Sequence, residues 1–390
     1  MPARPHRPLA IRLRDLLERK TTELTETPLE FPVCLYRSRR IFEAEVEGWL
    51  PRTPIVASPS CRLPEPQDYV VRDVLGRSLL VTRDADGTAH VHLNVCRHRG
   101  ARIVEGSGKA RRFTCPYHAW TYDARGALVG RPCEEGFQGL GRERSGLVRL
   151  PSVERHGFIW CLLDPAASLD LDAHLGEFGD ELATWGYEDF TYLSHMDIPL
   201  GTNWKSGIEA FCETYHFPFV HGRSQIGMGT IPNTVTFDAF GPHHRLGVPL
   251  RTMAEYDGDV NTAAEEELEK LVSVLYWIFP DVVLANSMVG VEFIQITPAD
   301  SPGRSWMHHA FLSKLKPPSE EIRAGLEAIA GLTRQAVREE DGPVLQRCGE
   351  GLRAAAHPKV VIGRNEPGVQ NVLTQLQRAV RPWLVNEPAD

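Results

Sequence analysis

Cys96-Arg97-His98-Arg99-Gly100-Ala101 and Cys115-Pro116-Tyr117-His118-Ala119-Trp120-Thr121-Tyr122 are the two stretches on which the reading of this chain turns. They give Cys-x-His, sixteen intervening residues, then Cys-x-x-His. Each pair follows a strand-like run and leads into turn-prone residues, so two loops can converge on one centre, each bringing a thiol and an imidazole. Four such donors fit tetrahedral zinc or a two-iron, two-sulfur cluster in which two histidines replace two cysteines on one iron. Zinc knuckles usually pair Cys with Cys and His with His. Loops that supply one of each suit an all-Cys iron beside an all-His iron.

Outward from these loops the pattern is β. Tyr69 to Val74, Ser78 to Thr82, His90 to Val95 and Phe158 to Leu163 are short alternating or β-branched runs, and Asp84-Ala85-Asp86-Gly87 and Asp123-Ala124-Arg125-Gly126 read as hairpin turns. From Leu169 the texture changes. Helical periodicity is expected over residues 174–185, 203–217, 262–272, 319–340 and 368–380, with strands at 193–199, 234–239, 282–285, 289–297 and 306–312. The expected organisation is an N-terminal helical segment (1–40), an all-β domain (41–165) and an α+β domain of antiparallel sheet and helices (166–390).

A net charge of −8 and a pI near 6.0 offer no general attraction for a phosphate backbone or an anionic membrane surface, so nucleic acid is not an expected partner. The most apolar region, 272–296, is interrupted by Pro280, Asp281, Asn286 and Glu292, and so lacks the roughly twenty apolar residues of a spanning helix. No membrane partner is expected either. The Arg-rich first twenty residues include Asp15 and Glu18 in an amphipathic stretch, which reads as a docking helix rather than a transit peptide. Eight cysteines are too few for a disulfide scaffold, which points to a reducing cytoplasm; Cys34, Cys61, Cys133, Cys161, Cys212 and Cys348 read as small buried hydrophobes.

A second constellation follows in the helical half. If residues 203–217 form one helix, Glu209, Glu213 and His216 share a face. Pro218 then breaks it, so that His221, five residues after His216, can turn its ring to the same metal. Two histidines are half of a two-His, one-carboxylate triad, whose open positions admit dioxygen. The carboxylate must come from elsewhere, and Glu339-Glu340-Asp341 is the candidate cluster.

The two Cys/His loops, Asn203-Trp204-Lys205, the His216 and His221 segment and Glu340-Asp341-Gly342-Pro343-Val344 together resemble the Rieske non-heme iron aromatic-ring-hydroxylating oxygenases, alpha subunit, over about residues 35–383. The resemblance implies a Rieske 2Fe-2S cluster on Cys96, His98, Cys115 and His118, and a mononuclear Fe(II) on His216, His221 and Asp341, with Glu340 the alternative third ligand. It implies a helix-grip-like catalytic domain and an external NAD(P)H-dependent reductase, with or without a ferredoxin. Dioxygen and a small organic substrate complete the reaction, in a homotrimer where a carboxylate bridges a cluster histidine of one subunit to an iron-ligand histidine of the next.

Two departures stand out. Ala119 occupies a position where many relatives have Gly, and Glu213 occupies the bridging position where most have Asp. Glutamate there is a feature of the carnitine monooxygenase branch, whose substrates are quaternary ammonium compounds. Glu209, one turn earlier, reads as a helix-face acid, and Trp120 and Tyr122 as packing. Phe237, residues 276–279 and residues 289–293 are the expected pocket wall, suited equally to an aromatic ring or a choline-like cation. The rival to an oxygenase is an electron carrier or redox sensor bearing the cluster alone.

Overall fold

Leu79, Leu80 and Val81 show how the sequence builds the β unit. Side chains alternate across the strand Arg77–Arg83. Leu79 and Val81 therefore join one core with Ile55, Val70, Val91, Leu150 and Ile159, while Leu80 joins another with Cys96, Cys115, Trp120 and Tyr122. The computed structural model describes residues 4–222, 224–315, 319–354 and 356–384. They fall into two units, one of which is Leu50–His174 with Gly186–Asp189.

This unit holds a four-stranded antiparallel sheet in the order Ala89–Leu93, Arg77–Arg83, Asp68–Val74, Ser107–Lys109, and two three-stranded sheets. Both expected hairpin turns form, by one device. Asp84 Oδ1 accepts the N–H groups of Asp86 and Thr88 at 3.0 and 2.9 Å, and Asp123 Oδ1 accepts those of Arg125 and Ala127, both at 2.9 Å.

The other unit, Met1–Trp49, Leu175–Trp185 and Phe190–Asp390, is built on a seven-stranded antiparallel sheet. Its order is Thr191–Leu200, Ser305–Ser313, Gly290–Pro298, Val282–Asn286, Val272–Ile278, His243–Pro249, Thr236–Phe240. The helix Glu320–Ala336 packs on the strands Thr191–Leu200 and Ser305–Ser313 through Leu326 and Ala330, against Leu193 and Phe311. The helix His6–Glu18 buries Leu9, Ala10, Leu13 and Leu16 and packs on the strands His243–Pro249 and Val272–Ile278. Pro367–Leu384 closes the unit. The α+β class is therefore as expected, and among the described residues no helix is long and apolar enough to cross a membrane.

Several local expectations are corrected. The helix expected over 262–272 is only Glu265–Leu268, because Val272, Val274 and Tyr276 alternate inward on a strand paired with His243–Pro249. That partner strand, and the helix Gly342–Ala354, were not anticipated. Nor is 203–217 one helix. It ends after Trp204–Glu209, and Thr214 instead accepts the Asn233 N–H at 3.0 Å. Pro218 does not break a helix but starts one, Phe217–Val220, in whose first turn its missing N–H costs nothing. Cys34, Cys133 and Cys348 are exposed rather than buried.

Candidate functional site

The two Cys/His loops fold alike. The Cys96 N–H donates to the Ala101 carbonyl at 2.8 Å and the Gly100 N–H to the Cys96 carbonyl at 3.0 Å; Cys115 N–H to Trp120 and Ala119 N–H to Cys115 repeat both bonds at 2.8 and 3.0 Å. Gly100 and Ala119 thus fill one slot, with φ of +76° and +55°. A glycine sits there without strain, whereas this backbone region disfavours a Cβ. Ala119 accepts that strain without altering the loop.

Donors then pair by type. Cys115 lies within hydrogen-bonding reach of Cys96, and burial followed by that thiol neighbour pushes its pKa up despite N–H bonds from Tyr117 and His118. The imidazoles of His98 and His118 lie edge to face with centroids 4.6 Å apart. His98 Nδ1 is buried with no hydrogen-bond partner among the described residues, as a ligating atom would be. The four donors do not gather on a single point as tetrahedral zinc requires: among the described residues only His216, His221 and Asp341 bring three donor atoms within 4.8 Å of one another. The set fits a cluster with one all-Cys and one all-His iron.

Trp120 and Tyr122 do more than pack. Tyr122 Oη lies 3.4 Å from Cys96 Sγ and accepts the Arg97 N–H at 3.1 Å, while Trp120 stacks on His98 with centroids 5.0 Å apart. The aromatic spacing of the second loop was the available signal, but spacing does not say which ring meets which ligand.

In the other unit the three donors come from two places. His216 and His221 flank the short helix Phe217–Val220, with ring centroids 5.1 Å apart. Asp341 Oδ1 stands 3.1 Å from His221 Nε2 and 3.6 Å from His216 Nε2. Each ring is gripped from behind: Glu213 holds His216 Nδ1, and Glu340 Oε2 lies 2.5 Å from His221 Nδ1. A carboxylate on Nδ1 fixes the proton there and frees Nε2 as a donor. Burial opposes charge on His221, yet the hydrogen bonds and charges of Asp341 and Glu340 outweigh it and raise its pKa. Glu213 Oε2 also accepts the N–H groups of Tyr215 and His216, the latter at 3.1 Å. It caps the turn on which its own histidine rides.

Glu340 and Asp341 reach their places through a π-turn, Val337–Asp341, closed by the Gly342 N–H on the Val337 carbonyl. Pro343 has no N–H for the carbonyl four residues back, and a Cβ on Gly342 would stand 2.8 Å from the Val337 oxygen. Asp-Gly-Pro is therefore the sequence of a widened turn. Glu339 is exposed and bonded by Gln335 at 2.9 Å.

A cavity of about 520 Å³ reaches this group, lined by Tyr36, Glu209, Glu213, His216, Asp341 and Leu345 among others. The expected wall is different: Tyr276, Trp277, Ile278 and Phe293 are at most 1 % exposed within the sheet and do not line this cavity. Sheet alternation on a doubly covered strand buries them, which composition alone cannot distinguish from a pocket. Burial pushes Glu209 up to about 7 against the hydrogen bond from Tyr36 Oη, 2.9 Å away. Glu366 also lines the cavity and is raised by burial, then by the charge of Glu213.

Residues 53–150 match the Rieske 2Fe-2S domain family and residues 184–382 the ring hydroxylating alpha subunit (catalytic domain). A carnitine monooxygenase oxygenase subunit of Acinetobacter pittii (strain PHEA-2) is 33% identical over 190 residues, 48% of this chain and 51% of that protein. The chain thus spans about half the length of the curated relatives it matches. Among solved structures, a quaternary ammonium Rieske monooxygenase in complex with L-carnitine superposes with a TM-score of 0.75 at 19% identity, over 97% of this chain and 99% of that one. Naphthalene 1,2-dioxygenase from Rhodococcus sp. bound to indole superposes at 0.73, 19% identical, over 98% and 99%.

Proposed function

The chain belongs to the ring-hydroxylating alpha-subunit family, and from that membership we propose that it is the terminal oxygenase of a Rieske non-heme iron system. Its substrate would be a small organic molecule, hydroxylated with dioxygen and electrons from an NAD(P)H-dependent reductase, directly or through a ferredoxin. The observation that carries this reading is the presence, in one chain, of the paired Cys/His loops and of the converging His216, His221 and Asp341.

Cys96 and Cys115 would hold one iron of the cluster, His98 and His118 the other, and His216, His221 and Asp341 the mononuclear iron. When bound, the cluster supplies single electrons and the mononuclear iron the dioxygen chemistry. The chain's own residues do the rest. Glu213 and Glu340 keep both Nδ1 atoms protonated, so that both Nε2 atoms face Asp341. Glu213 retains lone pairs for a further donor. We assign that donor to His118 of a neighbouring subunit in a homotrimer, which makes Glu213 the bridge between centres. The sparse cysteines and the absence of disulfides among the described residues support a cytoplasmic setting.

For the substrate, a quaternary ammonium compound suits the cavity better than a neutral arene. Its walls include Val344, Leu345 and Val369, yet Glu209 and Glu366 stand among them, and an apolar-skinned cation satisfies both. The test is iron content with oxygen uptake: about three irons per subunit, from a two-iron cluster and one mononuclear site, and uptake stimulated by one class in a panel of quaternary ammonium and aromatic compounds with a reductase. A preparation with an intact cluster and no iron at His216 and His221 would remove the oxygenase reading. Turnover surviving in Glu213→Gln with both metal sites filled would remove the bridge.

A further inference from the structure

One cation behind the cluster loops has no part in the scheme above. Arg131 follows the strand Leu128–Gly130, and its side chain is 3% exposed. Its Cζ sits 5.6 Å from the ring centroid of Trp120 and 4.9 Å from that of Phe137. Trp120 stacks on His98 at 5.0 Å with planes 7° apart, and Phe137 meets the same imidazole edge-on at 5.6 Å. A guanidinium, two aromatic rings and a ligand imidazole therefore form one column.

That charge is permanent, because a guanidinium does not deprotonate in proteins. Nη2 donates to the Leu140 carbonyl at 3.0 Å and to Glu134. Nε and Nη1 are buried and have no hydrogen-bond partner among the described residues, so part of the group faces only the rings. Its counter-charge is placed differently. Glu134 is 45% exposed and is shared with Arg142, whose Nη2 lies 3.0 Å from Oε2. Solvent screens Glu134 well and Arg131 poorly, so the two fields do not cancel at His98.

Resting on the Rieske reading of these loops, we infer that Arg131 raises the reduction potential of the cluster, by holding an unscreened positive charge behind His98. One-electron reduction by the external reductase adds one negative charge to the cluster, and a nearby fixed cation favours that state. Arg131 is thus a positioning residue for charge and touches neither substrate nor metal.

The test is spectroelectrochemical titration of the purified holoprotein, following the cluster's visible absorption and electron paramagnetic resonance. Arg131→Met should lower the ratio of reduced to oxidised cluster about tenfold at a fixed potential, about 59 mV for one electron. Arg131→Lys, which keeps the charge, should retain most of the wild-type potential. Arg131→Gln, which keeps a planar polar group against Trp120 and Phe137 but removes the charge, provides the reading if Arg131→Met fails to fold, and Glu134→Gln, whose charge solvent already screens, should move the potential much less than either. An unchanged potential in Arg131→Met or Arg131→Gln with the cluster assembled would overturn the inference, as would equal losses in the Met and Lys variants or a shift in Glu134→Gln as large as that in Arg131→Met. A wild-type protein without the cluster signals overturns the Rieske reading itself, so the two failures are separable.

Discussion

Replacing Glu340 and Asp341 separately should divide the two adjacent acids into a positioning group and a donor. Glu340 Oε2 lies 2.5 Å from Nδ1 of His221, whose side chain is 4% exposed. In Glu340→Ala that ring nitrogen loses its acceptor inside the protein, and the ring gains reason to carry its proton on Nε2, the atom that faces Asp341 Oδ1 at 3.1 Å. A metal must then displace that proton. Loss of such an outer partner typically weakens metal affinity about 10- to 100-fold, or about 1.4–2.7 kcal/mol. Asp341→Ala removes one of the three converging donors found among the described residues and should leave no stoichiometric binding. Anaerobic equilibrium dialysis against cobalt(II) reads both variants, since the irons of an assembled cluster do not contribute to the cobalt count. The reverse order, binding abolished in Glu340→Ala and kept within tenfold in Asp341→Ala, would show that Glu340 is the donor.

Three further outcomes follow from other parts of the molecule. Lys205 and Glu45 form an ion pair at 2.6 Å, each 1% exposed, with Trp204 Nε1 on the second carboxylate oxygen at 2.9 Å. Lys205→Met strands a buried carboxylate and should cost about 3–5 kcal/mol in denaturant melts, with Lys205→Met/Glu45→Gln recovering much of it; a loss under about 1 kcal/mol would mean the pair behaves as a surface contact. Ala119→Gly should stabilise the cluster unit by about 1 kcal/mol by relieving φ of +55°, and a drop in melting temperature would contradict the strain. Glu209 is raised to about 7 chiefly by burial, whereas an unfolded glutamate titrates near ~4.3, so the folded state binds the proton more tightly. Its contribution is full at pH below ~4.3 and is lost as pH rises through 7, on the order of 3 kcal/mol. Stability of Glu209→Gln should fall less over that range, and parallel curves would disprove the shift.

Much of this site was legible because its chemistry is local. Cys96, His98, Cys115 and His118 sit on two short loops whose hydrogen bonds close within five residues, so spacing alone brings each pair together. The Asp-led hairpin turns and most strands of the larger sheet were readable for the same reason, as side-chain capping and period-two alternation are properties of neighbouring residues. His216 and His221 were found, but through a misread helix. Past Glu209 the chain is not helical: Glu213 takes the N–H groups of Tyr215 and His216, which a continuing helix would need, while Thr214 turns its hydroxyl to the distant Asn233 N–H.

What the tertiary structure alone decided lies between segments far apart in sequence. Glu340 and Asp341 are adjacent and chemically alike. Only the π-turn, and the arrival of His221 from more than a hundred residues away, gives one the ring's back and the other its front. The same holds for the cavity, where Tyr36 meets Glu209 across 173 residues, and for the aromatic residues of Val272–Ile278, which sheet pairing consigns to the core. The pairing of Cys96 with His98 and of Cys115 with His118 on two loops was legible in the sequence, because loop closure needs only their neighbours. The cation behind them was not, since Arg131 reaches His98 only through Trp120 and Phe137, and the order of that column is set by packing.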